Sequence, residues 1–214
     1  MQIVLVTLLN VIINTGFGAI IPVMPKLLQE NGFSIVGLTV PFFAIVFGRI
    51  ISKLFCTRFL IFQYKYMSML AFVAYSVLFY FYTVISTPSQ FVIMRFVEGI
   101  IEGIVIVMLT DIVIHLSKQH NRGFYMGIFG LSFGVGMIVG PLYGGILHLK
   151  YGMNSIFLVN SALGIIGLLC SLLLHKYNIK KESNLKVTLP VVRVLTYYSM
   201  SILRRSYLFA FAIF

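Results

Sequence analysis

Charge is scarce in this sequence, and acidic charge is scarcest. Of 214 residues only 10% are charged, and five acidic side chains face sixteen lysines and arginines. No aspartate or glutamate occurs between Glu30 and Glu98. A soluble globular surface carries about a quarter of its residues charged, so this composition excludes one. The two cysteines, Cys56 and Cys170, fall near ends of apolar runs that face a reducing compartment, and they read as packing residues and not as a disulfide. The four histidines, His115, His120, His148 and His175, sit at connections or run ends with no ligand spacing, so neither a metal site nor a cofactor is expected. No nucleophile–base constellation suggests an enzyme.

What is present is apolar length. The chain is 60% hydrophobic, with a mean hydropathy of +1.03. Six runs, at about residues 3–25, 37–55, 67–85, 91–114, 124–149 and 155–174, are each long enough to cross a bilayer as a helix. The first lacks a basic leader and exceeds a signal peptide's apolar core, so it reads as a span. The expected fold class is an all-α membrane protein in the lipid bilayer. The net charge of +11 is placed unevenly. Lys53, Arg58 and Lys65 surround the second connection, Lys118 and Arg122 lie in the fourth, and Lys176, Lys180, Lys181, Lys186, Arg193, Arg204 and Arg205 follow the sixth span. The alternate connections hold only Lys26 and Lys150. This asymmetry puts the N-terminus in the cytoplasm, and it explains the basicity without nucleic acid as a partner.

Polar residues inside the spans are few. Asn10, Asn14 and Phe17 share one face of the first span, and each amide needs a neighbouring helix or cavity water. Pro22 and Pro25 break that helix where it leaves the membrane. Arg49 lies near the cytoplasmic end of the second span, from which it can snorkel. Tyr80 and Tyr82 read as interfacial anchors at the outer end of the third. The sixth, with Gly164 and Gly167, reads as an outer packing helix.

The fourth span is the chemically informative one. Arg95, Glu98 and Glu102 follow at i, i+3 and i+7 on one face. Three central charges cost roughly 8–10 kcal/mol on insertion scales. The fourteen apolar residues between Phe91 and Leu109 return only roughly 4–8 kcal/mol. The charges must therefore pair, neutralise or face water. Two readings stand: an Arg95–Glu98 pair that glues helices, or a face lining a polar cavity in which one carboxylate exchanges protons. In the second, Glu98, one turn from Arg95, is the more readily ionised, and Glu102 is the better proton carrier.

The fifth span holds the densest punctuation. Gly136, Gly140 and Gly144 recur every four residues, Gly123, Gly127, Gly130 and Gly134 alternate steps of four and three, and Gly140-Pro141 stands among them. Each set makes a smooth stripe for backbone-to-backbone approach, and the proline makes the seam bendable. Gly136-x-x-x-Gly140-Pro141-x-x-Gly144-Gly145 resembles the fifth-helix signature of the major facilitator superfamily, in its drug/proton antiporter branch. The ending Gly16…Pro22-x-x-Pro25 is similar to that branch's first helix. Arg95-Phe96-Val97-Glu98-Gly99 resembles the fourth-helix signature, with Glu98 where glutamine is common. Asp111 and Arg122-Gly123 resemble its gating residues on the cytoplasmic side. Ser52 to Arg58 keeps the leucine and basic character of the family's second connection without its aspartate.

The resemblance covers nearly the whole chain and implies the N-terminal half of a twelve-helix transporter. It implies six transmembrane helices in a 3+3 inverted repeat over residues 1–174, a basic cytoplasmic linker with a surface helix over 175–206, and the start of a seventh helix over 207–214. The expected function is proton-coupled efflux of small amphipathic or drug-like compounds by alternating access in the cell membrane, as in multidrug resistance. A C-terminal six-helix half, protons and a small-molecule substrate would be its partners. Arg95 would take part in proton coupling, and the glycine seam of the fifth helix would flex against the facing half. The alternatives are a non-transporting remnant or scaffold, and an uptake system or metabolite or siderophore exporter of the same superfamily.

Overall fold

The computed structural model describes residues 2–26, 39–59, 64–85 and 87–174. The chain divides into two compact units, Met1–Ile179 and Lys180–Phe214. The second unit lies outside the described residues, as do the expected basic linker and the start of a seventh helix. Each apolar run forms one helix: α1 (Gln2–Ile20), α2 (Val40–Phe59), α3 (Tyr64–Phe81), α4 (Pro88–Leu116), α5 (Arg122–Tyr151) and α6 (Met153–Leu172). Four are long and apolar enough to cross a membrane: α1, α3 extended to Val84, α5 with the turn from Gln119, and α6. The other two carry charge within them, Arg49 and Lys53 in α2 and Arg95, Glu98 and Glu102 in α4.

Local chemistry sets the helix ends. α1 stops at Ile20, two residues before Pro22, and a turn carries on with Ile21 N–H donating to the Gly18 carbonyl at 3.3 Å. α4 opens on a capping box: the Gln90 amide donates to the Thr87 hydroxyl at 3.4 Å, and the Thr87 amide donates to the Gln90 side chain at 3.3 Å. Pro88 takes the first turn, where its missing N–H is harmless. α5 runs unbroken through Pro141 and ends at Tyr151. A single residue, Gly152 at φ 81°, then reverses the chain into α6, a backbone conformation that favours glycine.

The helices alternate in direction. The start of α1 meets the end of α6 through Gln2 donating to the Leu173 carbonyl, and Lys65 at the start of α3 donates to the Leu172 carbonyl at 2.5 Å. Tyr64 beside it donates to Asp111 near the end of α4 at 3.1 Å. The most extensive pairings are α1 with α5, α2 with α4, and α3 with α6. Exchanging α1 with α4, α2 with α5 and α3 with α6 turns this set into itself. The glycine contacts support the exchange atom by atom. A Cβ on Gly48 of α2 would meet the Phe96 carbonyl oxygen, the Gly99 carbonyl carbon and the Ile100 nitrogen of α4. A Cβ on Gly140 of α5 would meet the Thr15 oxygen, the Gly18 carbon and the Ala19 nitrogen of α1, the same atoms at the same spacing. On α3 and α6 the exchange appears as a reciprocal pair: Ser76 donates to the Ser161 carbonyl at 2.8 Å and Ser161 to the Ser76 carbonyl at 2.9 Å. Because α1 and α4 run in opposite directions, the 3+3 repeat is inverted, as expected.

The exterior is unlike a soluble protein's. Phe43, Phe124, Leu131 and Leu149 lie exposed on the outside, while Asn10, Asn14, Arg95, Glu98, Glu102 and Asn160 are buried within a largely apolar core. An apolar exterior suits lipid. Both cysteines are free. The glycine stripes separate cleanly. Gly136, Gly140 and Gly144 press onto α1 at Asn14, Thr15, Gly18 and Ala19, so this seam closes within the bundle and does not face outward as the flexing reading required. Among the described residues, Gly123, Gly127, Gly130, Gly134 and Gly145 have nothing within 4 Å of a Cβ position. The remaining pairs use the same device: Gly99 of α4 lies against Ile45, and Gly164 of α6 against Ser76.

A side chain at the closed seam has nowhere to go, because the opposing atoms are backbone. Gly140→Leu is expected to destabilise the purified protein by about 1–3 kcal/mol through overpacking. Gly130→Leu, on the open stripe, is expected to leave its thermal unfolding midpoint in detergent unchanged.

Candidate functional site

The charged face of α4 is buried in the bundle and does not line an open surface. Arg95, Glu98 and Glu102 each have 0% exposure. α4 sits centrally because its neighbours approach closely at glycine: Gly99 and Gly103 meet the α2 backbone at Ile45 and Arg49. Charges on that face are therefore held by protein atoms.

Arg95 and Glu98 pair along their own helix. Arg95 Nη1 donates to both Glu98 carboxylate oxygens at 3.1 Å. Since both residues lie on α4, this pair joins no two helices, contrary to the gluing reading. The bridge to another element is Tyr82, just past the end of α3, whose hydroxyl donates to Glu98 Oε2 at 2.7 Å. Tyr82 is 2% exposed and stacked on Phe157 at 5.0 Å between ring centroids. It is thus a buried ligand of Glu98 and not the interfacial anchor its position in the sequence suggested, whereas Tyr80 two residues earlier is exposed. The Arg95 guanidinium lies 5.4 Å from the Phe91 ring centroid and 5.9 Å from that of Tyr82. Its Nε and Nη2 have no hydrogen-bond partner among the described residues, and the ring faces offset part of that deficit.

Glu102 has a partner that the sequence reading passed over. Arg49 Nε donates to Glu102 Oε2 at 2.9 Å, and Arg49 Nη2 donates to the same oxygen. Arg49 does not snorkel: it crosses from α2 to α4, with its guanidinium carbon 4.2 Å from the centre of the Phe17 ring on α1. The pair is graded, the Arg49 side chain being 18% exposed and that of Glu102 0%. Glu102 Oε1 has no partner among the described residues. Two arginines and two glutamates thus balance inside the bundle, and a count of in-span charges that included Arg49 would have pointed to the second pair.

The first-helix amides have different fates. Asn10 donates to the Phe129 carbonyl at 3.2 Å and to Ser132 Oγ at 2.7 Å, so its partner is a neighbouring helix, α5. Asn14 donates back to Asn10 Oδ1 at 3.0 Å and to the Asn10 carbonyl at 2.7 Å, leaving its own Oδ1 unpartnered. Phe17 is half-buried under Arg49. α6 is more than packing: Asn160 is fully buried, donates to the Gly16 carbonyl at 3.2 Å and accepts from Tyr143 of α5. Tyr75 of α3 is buried with its hydroxyl unpartnered, close enough that a Cβ on Gly16 would strike it. The signal for this knot was an uncharged amide in mid-span, which hydropathy hardly registers.

The outlying residues do not join the site. Pro22 and Pro25 are exposed beyond the end of α1, and Pro141 and Gly145 lie along α5. Asp111 accepts from Tyr64, and no ion pair links it to the exposed Arg122. No cluster of three or more metal-ligating side chains forms among the described residues.

Removing Glu98 would strand a buried guanidinium. Glu98→Ala is expected to destabilise the protein by about 3–5 kcal/mol. Tyr82→Phe, which deletes one hydrogen bond, is expected to cost roughly 1 kcal/mol. Thermal unfolding in detergent checks this order, and an equal loss in the two variants would contradict the arrangement.

The profile of the Major Facilitator Superfamily matches residues 6–214. Over 82 residues the chain is 30% identical to Multidrug resistance protein 3 of Bacillus subtilis, covering 38% of this chain and 16% of that protein. It is 32% identical over 84 residues to an uncharacterized MFS-type transporter of Mycobacterium tuberculosis, covering 39% of this chain and 14% of that protein. It is also 32% identical over 90 residues to one of Methanocaldococcus jannaschii, covering 42% and 23%. The chain therefore matches less than a quarter of the length of each of these relatives. With a matching profile over nearly its whole length and a bundle of apolar helices around buried polar groups, the chain belongs to the Major Facilitator Superfamily of transporters and is a multi-pass membrane protein.

Proposed function

We propose that this chain forms the N-terminal half of a proton-coupled exporter of small amphipathic compounds, working by alternating access in the cell membrane with the N-terminus in the cytoplasm. The observation that carries the reading is the pair of fully buried carboxylates, Glu98 and Glu102, each neutralised by an arginine on a membrane-embedded helix. Intramembrane ionisable groups are costly and mark ion or substrate pathways. Resemblance to the drug/proton antiporter branch and the partial match to a protein named for multidrug resistance support export.

In this reading Glu102 exchanges the proton. One of its oxygens carries both bonds from Arg49 and the other carries none, so a proton added there would weaken the α2–α4 bridge without disturbing Arg95 and Glu98. Loosening that bridge would favour one orientation of the bundle over the other. A C-terminal six-helix half would face α1 and α4 across the substrate path, and the two halves would rock about it. Gly136, Gly140, Pro141 and Gly144 would then act as a hinge of α5 on α1, with Gly145, Pro22, Pro25, Asp111 and Arg122 gating the ends. Asn10, Asn14 and Phe17 would shape the α1 wall.

The test is vesicle transport by the full-length protein under an imposed pH gradient. Glu102→Gln is expected to abolish gradient-driven export while substrate binding persists. Export that still responds to the gradient in this variant would overturn the assignment.

A further inference from the structure

Two residues converge inside the bundle from equivalent places in its two arms. The reciprocal Ser76–Ser161 pair sets α3 and α6 in register, and Tyr75 and Asn160 each directly precede one of those serines. Both reach Gly16 of α1. A Cβ there would strike the Tyr75 hydroxyl oxygen and lie 3.3 Å from Asn160 Oδ1, so the two oxygens lie within about 5 Å of one another, one side-chain adjustment from a hydrogen bond. They are not equally satisfied. Asn160 is fully buried, donates to the Gly16 carbonyl at 3.2 Å and accepts from the Tyr143 hydroxyl of α5. Tyr75 is fully buried with its ring on Phe79, 4.6 Å between centroids, and its hydroxyl has no partner among the described residues. A buried donor without an acceptor costs stability, and the acceptor beside this one is held by a different tyrosine. That holder stands on the bendable element. Tyr143 follows Pro141 by two residues, and a proline inside a helix removes the hydrogen bond to the carbonyl four residues earlier, here that of Met137. Gly140 and Gly144 give α5 a smooth face on α1 over the same turns.

We propose that Asn160 is a two-position hydrogen-bond switch, held by Tyr143 of α5 in the arrangement of this structure and by Tyr75 of α3 in a second one. When α5 bends at Pro141, Tyr143 leaves the amide oxygen and the Tyr75 hydroxyl donates to it instead. One bond breaks as an equivalent one forms, which keeps the two arrangements close in free energy, as a reversible change requires. Tyr143, unlike Tyr75, is partly exposed, so its freed hydroxyl is not stranded. The bond from Asn160 to Gly16 persists in both, and α6 stays fixed to α1 while α5 moves. The switch rests on the reading of a bundle that alternates between two orientations, and it names a contact that sets their ratio. A static clasp would give Tyr75 no part in that ratio.

Spin labels attached through Tyr80→Cys and Leu149→Cys, exposed positions near the ends of α3 and α5, report the movement by their separation. The measurement uses the full-length protein in lipid nanodiscs, with Cys56→Ser and Cys170→Ser removing the native thiols of this chain. Two separations are expected when both tyrosines are present. Tyr143→Phe is expected to shift their ratio about threefold away from the arrangement described here, the weight of one interhelical hydrogen bond in a membrane, and Tyr75→Phe about threefold toward it. In an Asn160→Leu background neither tyrosine substitution should alter the ratio. Gel filtration establishes folding for each variant, and Tyr75→Phe carries the test if Tyr143→Phe or Asn160→Leu does not fold. A single separation in every variant, shifts of the same sign, an unchanged ratio in Tyr75→Phe, or a Tyr75→Phe effect that survives Asn160→Leu would each overturn the proposal. The ratio is read without a pH gradient and does not depend on proton exchange at Glu102, so the switch and the export assignment fail separately.

Discussion

Two carboxylates that solvent does not reach require two cations inside the same bundle, and the arrangement of α2 against α4 follows from that. Stripping water from a carboxylate and a guanidinium costs several kcal/mol per ion, which close pairing must offset. Arg95 meets Glu98 along one helix, and the partner of Glu102 comes from α2. Arg49 reaches it because Gly48, Gly99 and Gly103 bring the α2 and α4 backbones together. The glycines and the ion pair are therefore one device: smooth surfaces set the distance, and the charges set the register.

Hydrophobic burial gives helices in lipid little reason to associate, since acyl chains are as apolar as leucine. The bundle uses close backbone packing at three glycine seams and adds a polar clasp to each. Asn10 clasps α1 to α5 through Ser132, Arg49 clasps α2 to α4, and Ser76 with Ser161 clasps α3 to α6. Among the described residues, the open glycines of α5 meet no opposing helix.

The helices themselves were legible, because a bilayer span demands a continuous apolar run and nothing else in the sequence imitates one. So were the repeat, through its family signature, and the Arg95–Glu98 pair, through a spacing of three on one helix. Contacts between helices were not. Arg49 was read by its depth in its own span, yet its partner lies on α4. Tyr82 looked like an anchor because tyrosine near a helix end usually is one, and only the fold of α3 against α4 turns it inward. Asn160 was missed because one amide scarcely alters the hydropathy of its span. Periodicity reports which residues share a face, and it carries no information about which helix lies opposite.

The inverted repeat brings out an asymmetry. Since Thr15 and Gly18 occupy the places that Phe96 and Gly99 hold in the other arm, Asn14 corresponds to Arg95 and Phe17 to Glu98. One skeleton has been used twice, once with an amide and a phenyl ring and once with a guanidinium and a carboxylate. All four balanced charges lie along α2 and α4, so the electric field inside the bundle is lopsided, strong beside one pair of helices and faint beside its twin.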